Sequence, residues 1–431
     1  MQHNQDAAPR VVTRADHTVS RANISRNALK VLNRLHQNGY QAFLVGGAVR
    51  DILLGREPKD FDVATDASPE QIGELFRNSR LIGRRFRLAH VHFGREIIEV
   101  ATFRGGADDV ETDGGGRILR DNIYGAIHED VWRRDFTVNS LYYNIEDFSI
   151  WDYTGGFDDV QNRLLRLIGD PEARYREDPV RMLRAARFAA SLDFTIETET
   201  EAPIAELASI INDVPPARLF EEVLKLFLKG SALSSFEHLR RYGLLQYLFP
   251  ETVACMELPN AGSFRDLLRA ALANTDQRVE EGKPVTPVFL LAVLLWGPIT
   301  QRVAAIANER HGPVFWLHRA TDEVVEGQQQ YIAIPRRLAA PMREIVCLQP
   351  RFANKGPARV RRLLGHPRFR AAYDLLMLRI AVGEEDPALG EFWTEAQNEP
   401  VEAENPEEPR PRRRRRRRGP HRRRPRDQDD G

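Results

Sequence analysis

Cysteine is the scarcest residue that could carry chemistry in this sequence. Only Cys255 and Cys347 occur, far apart and without the spacing of metal ligands. This excludes a disulfide scaffold and a cysteine-based zinc cluster, and it is typical of a reducing compartment. No segment approaches the roughly 20 apolar residues that cross a bilayer, and residues 1–25 lack the apolar core of a signal peptide. These absences predict a cytoplasmic protein with no membrane association.

Two catalytic signatures are absent as well. The lysine and the spacing of a P-loop do not occur, which excludes that route to nucleotide binding. The sequence also contains no His-Asp dipeptide, so nothing in it indicates a metal-dependent phosphohydrolase domain.

An excess of charge of one sign is missing too, but the formal net charge of +0 conceals an uneven distribution. Twelve arginines lie between Arg410 and Arg426, so the 409 residues before them carry an acidic balance. Blocks of like charge do not pack into a core, and basic blocks commonly bind nucleic acid. We therefore expect a disordered linker and an arginine-rich, nucleic-acid-binding tail at residues 393–431, with a solubility or partner-docking segment as the alternative.

The first part of the chain mixes short helical and β-like patterns. Ser25 to Gln37 predicts a helix capped by Ser25, and Pro69 to Phe76 predicts another capped by Ser68. Gln41 to Val45 and Phe61 to Ala64 predict buried strands. From Asp178 to about Val382, apolar residues recur at helical spacing, as in "VRMLRAARFAASL". The sequence thus predicts an α+β domain followed by an all-α region.

The most informative segment is "LVGGAVRDILLGREPKDFDVAT", residues 44–65. Asp60 and Asp62 alternate with Phe61, so on an extended strand both carboxylates point to one face and can converge on divalent cations. Phosphoryl transfer needs such cations to neutralise the attacking and leaving oxygens. Gly46-Gly47, between a strand and a helix, lets backbone N–H groups approach phosphates. Alone, an Asp-x-Asp is most often a solvated strand end, and a Gly-Gly a tight turn.

Together these residues resemble the head-domain signature of the DNA polymerase beta superfamily of nucleotidyltransferases. More narrowly, they resemble class II, which contains bacterial poly(A) polymerases and tRNA CCA-adding enzymes. "RRDFTVNSLYY" (133–143) resembles the motif that completes the class II head, and "YREDPVRMLRAARFAA" (175–190) resembles the neck motif. The resemblance is specific over about residues 25–230 and looser to about residue 385.

The resemblance implies an α+β nucleotidyltransferase head with a small mixed sheet, an all-α neck and body, and a disordered basic tail. It implies a flexible leader at residues 1–24, a catalytic head at 25–170 and a nucleobase-binding and RNA-binding neck at 171–232. A helical RNA-binding body would follow at 233–392.

Site roles carry over on the matching positions. Asp60 and Asp62 would bind two magnesium ions, with manganese as a substitute, and ATP would be the substrate. Asp135 would be the further acidic residue of the catalytic site, unless it only pairs with Arg133 or Arg134. The residues implied to contact the nucleotide are Gly46, Gly47, Arg50, Arg134, Asn139, Asp178, Arg181, Arg184 and Arg187.

Within that set, Asp178 and Arg181 would present hydrogen bonds to the edge of the base. They lie at i, i+3 on a helix, so they could also bond each other, and a surface ion pair is the plain alternative. Pro179 suits a first helical turn and would place Asp178 at the cap. Arg184 and Arg187 would continue the same face toward the phosphates.

Two features favour the poly(A) polymerase branch over the CCA-adding branch. Residues 80–105, with "GRRFRLAHV", and residues 366–379 resemble the bacterial poly(A) polymerases. A polycationic tail also suits an enzyme that extends many different RNA 3′ ends. We therefore expect a template-independent polynucleotide adenylyltransferase that serves RNA processing and decay. It would be monomeric, with the RNA-degradation machinery as a partner. The alternatives are a CCA-adding enzyme, a non-catalytic RNA-binding protein of the same fold and an antibiotic nucleotidyltransferase.

Overall fold

The computed structural model describes residues 8–83, 87–105, 111–112, 118–120 and 124–398. Within them, a mixed sheet with helices is followed by a region built almost entirely of helices. The expected fold class is confirmed for this part of the chain. The arginine-rich tail lies outside the described residues.

The strands precede most of the helices in the sequence. They are β1 (Arg10–Val12), β2 (Ala42–Val45), β3 (Asp62–Thr65), β4 (Ser79–Ile82), β5 (Leu88–Phe93), β6 (Glu96–Thr102), β7 (Glu111–Thr112), β8 (Ile118–Arg120), β9 (Leu141–Tyr143), β10 (Ile150–Asp152), β11 (Leu164–Leu165) and β12 (Thr195–Ile196).

The main sheet has the strand order β1-β10-β9-β2-β3-β6-β5-β4 among the described residues. Its pairs are antiparallel except for β3 and β6, which run parallel. Strand β2 is buried along its whole length, as expected for a central strand with both faces covered. In the β2–β3 pair Val45 lies opposite Asp62, and in the β3–β6 pair Asp62 lies opposite Glu99. This register sets the Gly46-Gly47 turn beside the Asp60-Phe61-Asp62 segment.

Helices pack against this sheet and then form the rest of the described chain. The helices up to residue 207 are α1 (Arg26–Gln37), α2 (Gly47–Leu53), α3 (Pro69–Leu75), α4 (Ile127–Arg133), α5 (Gly156–Gln161), α6 (Pro171–Glu177), α7 (Val180–Leu192) and α8 (Thr198–Leu207). The later helices are α9 (Pro216–Phe227), α10 (Ala232–Arg241), α11 (Leu245–Leu248), α12 (Pro250–Glu257), α13 (Gly262–Glu280), α14 (Pro287–Leu294), α15 (Trp296–Ile306), α16 (Pro313–Gln328), α17 (Arg336–Leu348), α18 (Pro357–Leu364), α19 (Phe369–Ala381) and α20 (Pro387–Asn398).

The local capping predictions are confirmed. The Ser25 hydroxyl accepts hydrogen bonds from the amides of Asn27 and Ala28 at the start of α1. Ser68 and Gln71 form a reciprocal capping box at the start of α3. The catalytic-motif strand is shifted slightly from its predicted position, because β3 begins at Asp62 and Asp60 lies in the segment just before it.

The prediction of a flexible leader through residue 24 is wrong for the residues that the structure describes. Strand β1 pairs with β10 at the edge of the sheet, and Arg10 forms an ion pair with Asp158 at 2.7 Å. Val12 and Val19 are buried in the core. Because these valines bury apolar surface, the segment is part of the folded domain.

The predicted start of the disordered linker at residue 393 is also wrong. Helix α20 continues to Asn398, and Trp393 is fully buried within it. The Trp393 indole N–H donates to the carbonyl of Phe352 at 2.9 Å. Burial of such a large aromatic side chain outweighs the polar composition that follows it.

In the described part of the chain, no single helix has the length and apolar character needed to span a membrane. Helices α14 and α15, bent by 49° relative to each other, meet the criterion only as a pair.

Candidate active site

A polar cavity of about 750 Å³ lies where β3, the β2–α2 turn and helices α7 and α9 meet. The twelve site residues predicted from the sequence all line it. They are Gly46, Gly47, Arg50, Asp60, Asp62, Arg134, Asp135, Asn139, Asp178, Arg181, Arg184 and Arg187. Residues up to 141 positions apart are thus brought to one surface.

The Gly46-Gly47 turn borders the cavity directly beside the carboxylates. Gly46 has a φ of +73°, in the left-handed region that disfavours residues with a Cβ atom. A Cβ atom built on Gly46 would lie 3.7 Å from Asp62 Oδ2. Glycine here therefore meets a backbone requirement and lets the turn approach the carboxylate closely.

Asp60, Asp62 and Glu99 form what we call the carboxylate wall of the cavity. Glu99 lies opposite Asp62 on the neighbouring parallel strand, and all three side chains line the same space. Among the described residues, neither Asp60 nor Asp62 has a hydrogen bond or ion pair through its carboxylate. Burial, with the nearby charges of Glu99 and Asp60, raises the pKa of Asp62 to about 6. The wall concentrates negative charge that the nearby cation Arg134 offsets only in part, because the pKa of Asp62 remains raised.

Arg134, which also lines the cavity, is held by a buried network behind it. Its guanidinium donates to Asp130 Oδ2 at 3.0 Å and to the Tyr142 hydroxyl at 2.7 Å. The Tyr142 hydroxyl donates to the same Asp130 carboxylate at 2.6 Å. Burial opposes the charged form of Arg134, but Tyr142 and Asp130 together raise its pKa. The network fixes Arg134 as a permanent cation close to Asp62.

Asp135 pairs with Arg184 on α7, not with Arg133 or Arg134. Arg184 donates to Asp135 Oδ2 through Nε at 2.7 Å and Nη2 at 2.5 Å. The other carboxylate oxygen accepts the Phe136 amide at 2.8 Å and the Asn139 side chain at 3.3 Å. Burial opposes ionisation, yet Arg184 and these hydrogen bonds lower the pKa of Asp135 to about 2. Asp135 thus links the sheet to α7, and its catalytic role stays a prediction.

Arg50 is buried and already bonded within the protein. Its guanidinium donates to Asp51 at 2.7 and 2.9 Å and to Asn139 Oδ1 at 2.5 Å. Asn139 therefore links Arg50 to Asp135 across the floor of the site, a connection that the separate sequence motifs do not reveal.

The side chains of Asp178 and Arg181 do not bond each other, so the alternative of an ion pair between them is not observed. Asp178 Oδ2 accepts from Arg218 on α9 at 2.7 Å, and Arg181 pairs with Glu177 at 2.8 Å. Asp178 Oδ1 accepts the amide of Val180 at 3.3 Å, but Asp178 is the C-cap residue of α6, and Pro179 is the N-cap residue of α7. Each of the two side chains is oriented by its own partner. They enter the cavity as a fixed acceptor and a fixed donor.

Three arginines lie around the ring of Phe188. The guanidinium carbons of Arg50, Arg184 and Arg187 lie 5.4, 5.3 and 4.2 Å from its centroid. The edge of Phe136 supports the ring, with centroids 5.6 Å apart and planes at 79°. The negative face of an aromatic ring attracts such cations, which here would otherwise repel one another.

Arg187 is the least satisfied member of this group. Its nearest carboxylate, Glu222, lies 3.9 Å from Nε, and within the described chain that Nε atom has no hydrogen-bond acceptor. Burial and the charge of Arg184 lower the pKa of Arg187 to about 10. A buried guanidinium in this state offers its donors to an incoming anion.

Several lining residues were missed by sequence reasoning: Glu99, Glu177, Phe188, Arg218, Glu222 and Lys225. Glu99 carried a weak signal, as a charged residue inside an apolar strand. Arg218 carried none, because its contact with Asp178 spans 40 positions.

The carboxylate wall, the glycine turn beside it and the arginines of α7 thus line one cavity. Three family signatures match the chain, and together they cover most of its length. They are "Poly A polymerase head domain" over residues 42–166, "Probable RNA and SrmB- binding site of polymerase A" over 193–256 and "Polymerase A arginine-rich C-terminus" over 311–428.

Curated relatives agree with these signatures. The chain is 48% identical over 398 residues to poly(A) polymerase I of Salmonella typhi, covering 90% of this chain and 85% of that protein. It is 49% identical over 399 residues to the Escherichia coli O6:H1 poly(A) polymerase I, with the same coverage. The CCA-adding enzyme of Bacillus subtilis is more distant, at 34% identity over 289 residues, 65% of this chain and 71% of that enzyme.

Among solved structures, the Bacillus stearothermophilus CCA-adding enzyme in complex with CTP matches with a TM-score of 0.60 at 24% identity. The match covers 86% of this chain and 80% of that one. The Thermotoga maritima CCA-adding enzyme complexed with tRNA matches with a TM-score of 0.55 at 19% identity, covering 87% and 82%. These likenesses establish the shared fold. The sequence relatives establish the family: the chain belongs to the bacterial poly(A) polymerase I family of class II nucleotidyltransferases, and it is an enzyme.

Proposed function

We infer that this enzyme adds AMP from ATP to RNA 3′ ends without a template, building poly(A) tails. One observation carries the inference: Asp60 and Asp62, whose carboxylates have no bonded partner among the described residues, share a cavity of about 750 Å³ with an arginine cluster. Nucleotidyl transfer needs both features, cation ligands at the reacting phosphate and fixed positive charge along the triphosphate.

The residues of the carboxylate wall fit divalent cations. Asp60 and Asp62 have hard oxygen ligands, and the raised pKa of Asp62 reflects charge that a cation would compensate. The described residues contain no complete cluster of three or more His, Cys, Asp or Glu ligands. Magnesium typically takes one or two carboxylates and completes its shell with water and substrate phosphates. Magnesium, or manganese in its place, would supply charge neutralisation at the attacking and leaving oxygens.

The chain's own residues position the nucleotide. Gly46 and Gly47 let the triphosphate approach the backbone, and Arg187, held over Phe188, offers donors to its oxygens. Arg134 adds a fixed cation beside Asp62. The RNA 3′-hydroxyl then attacks the α-phosphorus and loses its proton to solvent as a new P–O bond forms. Pyrophosphate leaves as the bond between the α-phosphorus and the α–β bridging oxygen breaks.

The base would lie against Asp178 and Arg181. Because Arg218 and Glu177 hold these two side chains, the acceptor and the donor present one hydrogen-bonding pattern in place of a template base. A pattern that is fixed before binding discriminates between bases, since the wrong base leaves buried groups unpaired.

A product-length assay tests the function. Purified protein is given a generic RNA and, separately, a tRNA that lacks its 3′ end, each with one nucleoside triphosphate at a time and then with CTP and ATP together. Long ladders with ATP alone on both RNAs support the proposal. A stop after C-C-A on the tRNA would identify a CCA-adding enzyme, and RNA binding with no addition would identify a non-catalytic RNA-binding protein.

The remaining features are part of the same proposal. The enzyme would act in the cytoplasm as a monomer, with a catalytic head, an RNA-binding neck and body, and the RNA-degradation machinery as a partner. Deleting residues 410–431, which hold twelve arginines and three aspartates, should weaken RNA binding and reduce its salt dependence while sparing the chemistry. An unchanged salt dependence would remove the tail from RNA binding.

A further inference from the structure

A second groove, of about 710 Å³, lies beside the nucleotide cavity and has no role in the site described above. It is bounded by Lys59 on the segment before β3, by Lys229 and Gly230 after α9, and by one side of α13. Its volume is close to that of the nucleotide cavity, so a nucleotide-sized unit fits within it.

Two connections tie this groove to the reaction centre. Lys59 is the neighbour of Asp60, so the groove begins one residue from the carboxylate wall. Helix α9 provides the second connection. Its residues Arg218 and Lys225, seven positions apart and therefore on one face, line the nucleotide cavity, and the chain just past its end contributes Lys229 to the groove.

The groove is lined by two lysines and two carboxylates, and its lysines are the groups that could hold an anion. Lys59 and Lys229 are exposed, and within the described chain neither forms an ion pair with a carboxylate. Asp276 accepts the amides of Ala232 and Leu233 at 2.5 and 3.0 Å, which compensates its charge locally. Glu280 also lines the groove and opposes anion binding there.

Geometry then identifies the anion. With the incoming nucleotide in the first cavity, an acceptor strand that approaches Asp60 past Lys59 would place its last phosphodiesters in this groove. We propose that the groove binds the 3′-terminal phosphodiesters of the acceptor RNA through Lys59 and Lys229. This proposal rests on the function inferred above. Because a lysine ammonium contacts phosphate without reading a base, the groove would accept any 3′-terminal sequence.

The first test uses the full-length chain and a short oligoadenylate primer. Replacing both Lys59 and Lys229 by alanine should raise the Kd and the KM for the primer by roughly tenfold, while the KM for ATP changes less than about twofold. The slope of log Kd against log salt should fall by about 1.4, the value for two lost contacts to a single strand.

Two matched variants serve as controls for this test. Lys30→Ala removes an exposed lysine on α1, away from the groove, and should leave primer binding unchanged. Glu280→Gln removes the opposing charge and should tighten primer binding by roughly twofold. A weakening by Glu280→Gln, or an effect of Lys30→Ala as large as that of the double variant, would overturn the proposal.

A primer with neutral methylphosphonates at its last two linkages locates the contact. It should bind the wild-type enzyme more weakly than the normal primer but bind the double lysine variant equally well, because the interacting charges are already gone. Equal additional losses in both proteins would place the contact elsewhere. If the wild-type enzyme adds no AMP to any RNA, the proposed function fails; if it does add AMP and the lysine variants match it, only the groove assignment fails.

Discussion

The carboxylate wall and the Asp135–Arg184 ion pair line the same cavity, but the aspartates of the wall have no bonded cation, whereas Asp135 does. Asp60 and Asp62 lack hydrogen-bonding partners in the described chain, and burial raises the pKa of Asp62 to about 6. Asp135, equally close to the cavity, is bonded to Arg184, and its pKa is lowered to about 2. Two aspartates in one site thus have pKa values shifted in opposite directions.

This difference is the basis of the two proposed roles: Asp62 would bind a ligand, and Asp135 would hold structural elements of the site together. A carboxylate whose charge is uncompensated in the free protein gains most when a cation binds. A carboxylate with a two-point arginine partner already has its compensation and holds two elements together. Perturbed pKa values in clefts mark candidate functional groups, and here the direction of the shift distinguishes the two proposed roles.

The largest expected effect comes from the carboxylate wall. Asp62→Asn and Asp60→Asn should each lower the rate of AMP addition by roughly 1,000-fold or more, equivalent to about 4 kcal/mol of lost transition-state stabilisation. Single-turnover addition to a labelled RNA measures the loss. RNA affinity, measured in parallel, should stay within about twofold. Near-normal addition by either variant would contradict the metal-site assignment.

Replacing Asp135 and replacing Asp62 should change the free energy of unfolding in opposite directions. Asp135→Asn leaves Arg184 without its anion and should lower the free energy of unfolding by roughly 3 kcal/mol. Asp62→Asn removes an uncompensated buried charge and should raise it by about 1–2 kcal/mol at neutral pH. Urea denaturation of both variants beside the wild type measures the difference. A loss of stability in Asp62→Asn equal to that in Asp135→Asn would remove the distinction.

The pH dependence of stability gives a further contrast. Asp135, with a lowered pKa, contributes stability above pH of about 4, and that contribution is lost as the pH falls through about 2. Asp62, with a raised pKa, stabilises most below its unfolded value near 3.8, and that contribution is lost as the pH rises through about 6. Denaturation series from pH 2 to 7 should therefore be flatter below pH 4 for Asp135→Asn and flatter between pH 4 and 6 for Asp62→Asn.

A moderate effect is expected at Phe188, which holds three arginines without contacting the carboxylates. Phe188→Leu keeps the volume but removes the ring and should raise the KM for ATP by roughly tenfold. Phe188→Tyr keeps the ring and should restore the KM to within about twofold. Steady-state kinetics at saturating RNA provide the readout. Equal defects in both variants would indicate a packing role without a cation–ring contribution.

The smallest effect concerns base choice. Arg218→Gln releases Asp178 while leaving Arg181 paired with Glu177, so the ratio of kcat/KM for ATP over CTP should fall by roughly five- to tenfold. Lys225→Gln provides a control, because it removes a cation of the same helix that pairs with Glu222 instead of Asp178. A similar fall in both variants would mean that general charge, and not the Asp178 contact, sets the preference.

Much of the site could be predicted because its residues lie in short, dense motifs. Asp60 and Asp62 are separated by one residue, and the glycine turn precedes them by about fifteen, so local spacing already indicated phosphate chemistry. What could not be predicted was the pairing. Arg184 bonds Asp135 and Arg218 bonds Asp178 over 49 and 40 positions, and no local pattern encodes such contacts.

The ends of the fold were misjudged for a related reason. Residues 8–24 and 393–398 have polar surroundings in the sequence, and composition alone suggested flexible segments. Val19 and Trp393 are nevertheless fully buried in the core. Single apolar anchors determine whether such segments fold, because the surface that they bury belongs to distant elements.

The central claim is that the carboxylate wall binds cations because Asp60 and Asp62 have no bonded partner among the described residues. The most direct test is Mn²⁺ binding, followed by electron paramagnetic resonance in the presence of ATP, for the wild type and for Asp62→Asn and Asp135→Asn. We expect Asp62→Asn to weaken Mn²⁺ binding by at least roughly tenfold, while Asp135→Asn binds Mn²⁺ within about threefold of the wild type. If Asp62→Asn bound Mn²⁺ as tightly as the wild type, or if only Asp135→Asn lost it, the roles of the two aspartates would have to be exchanged.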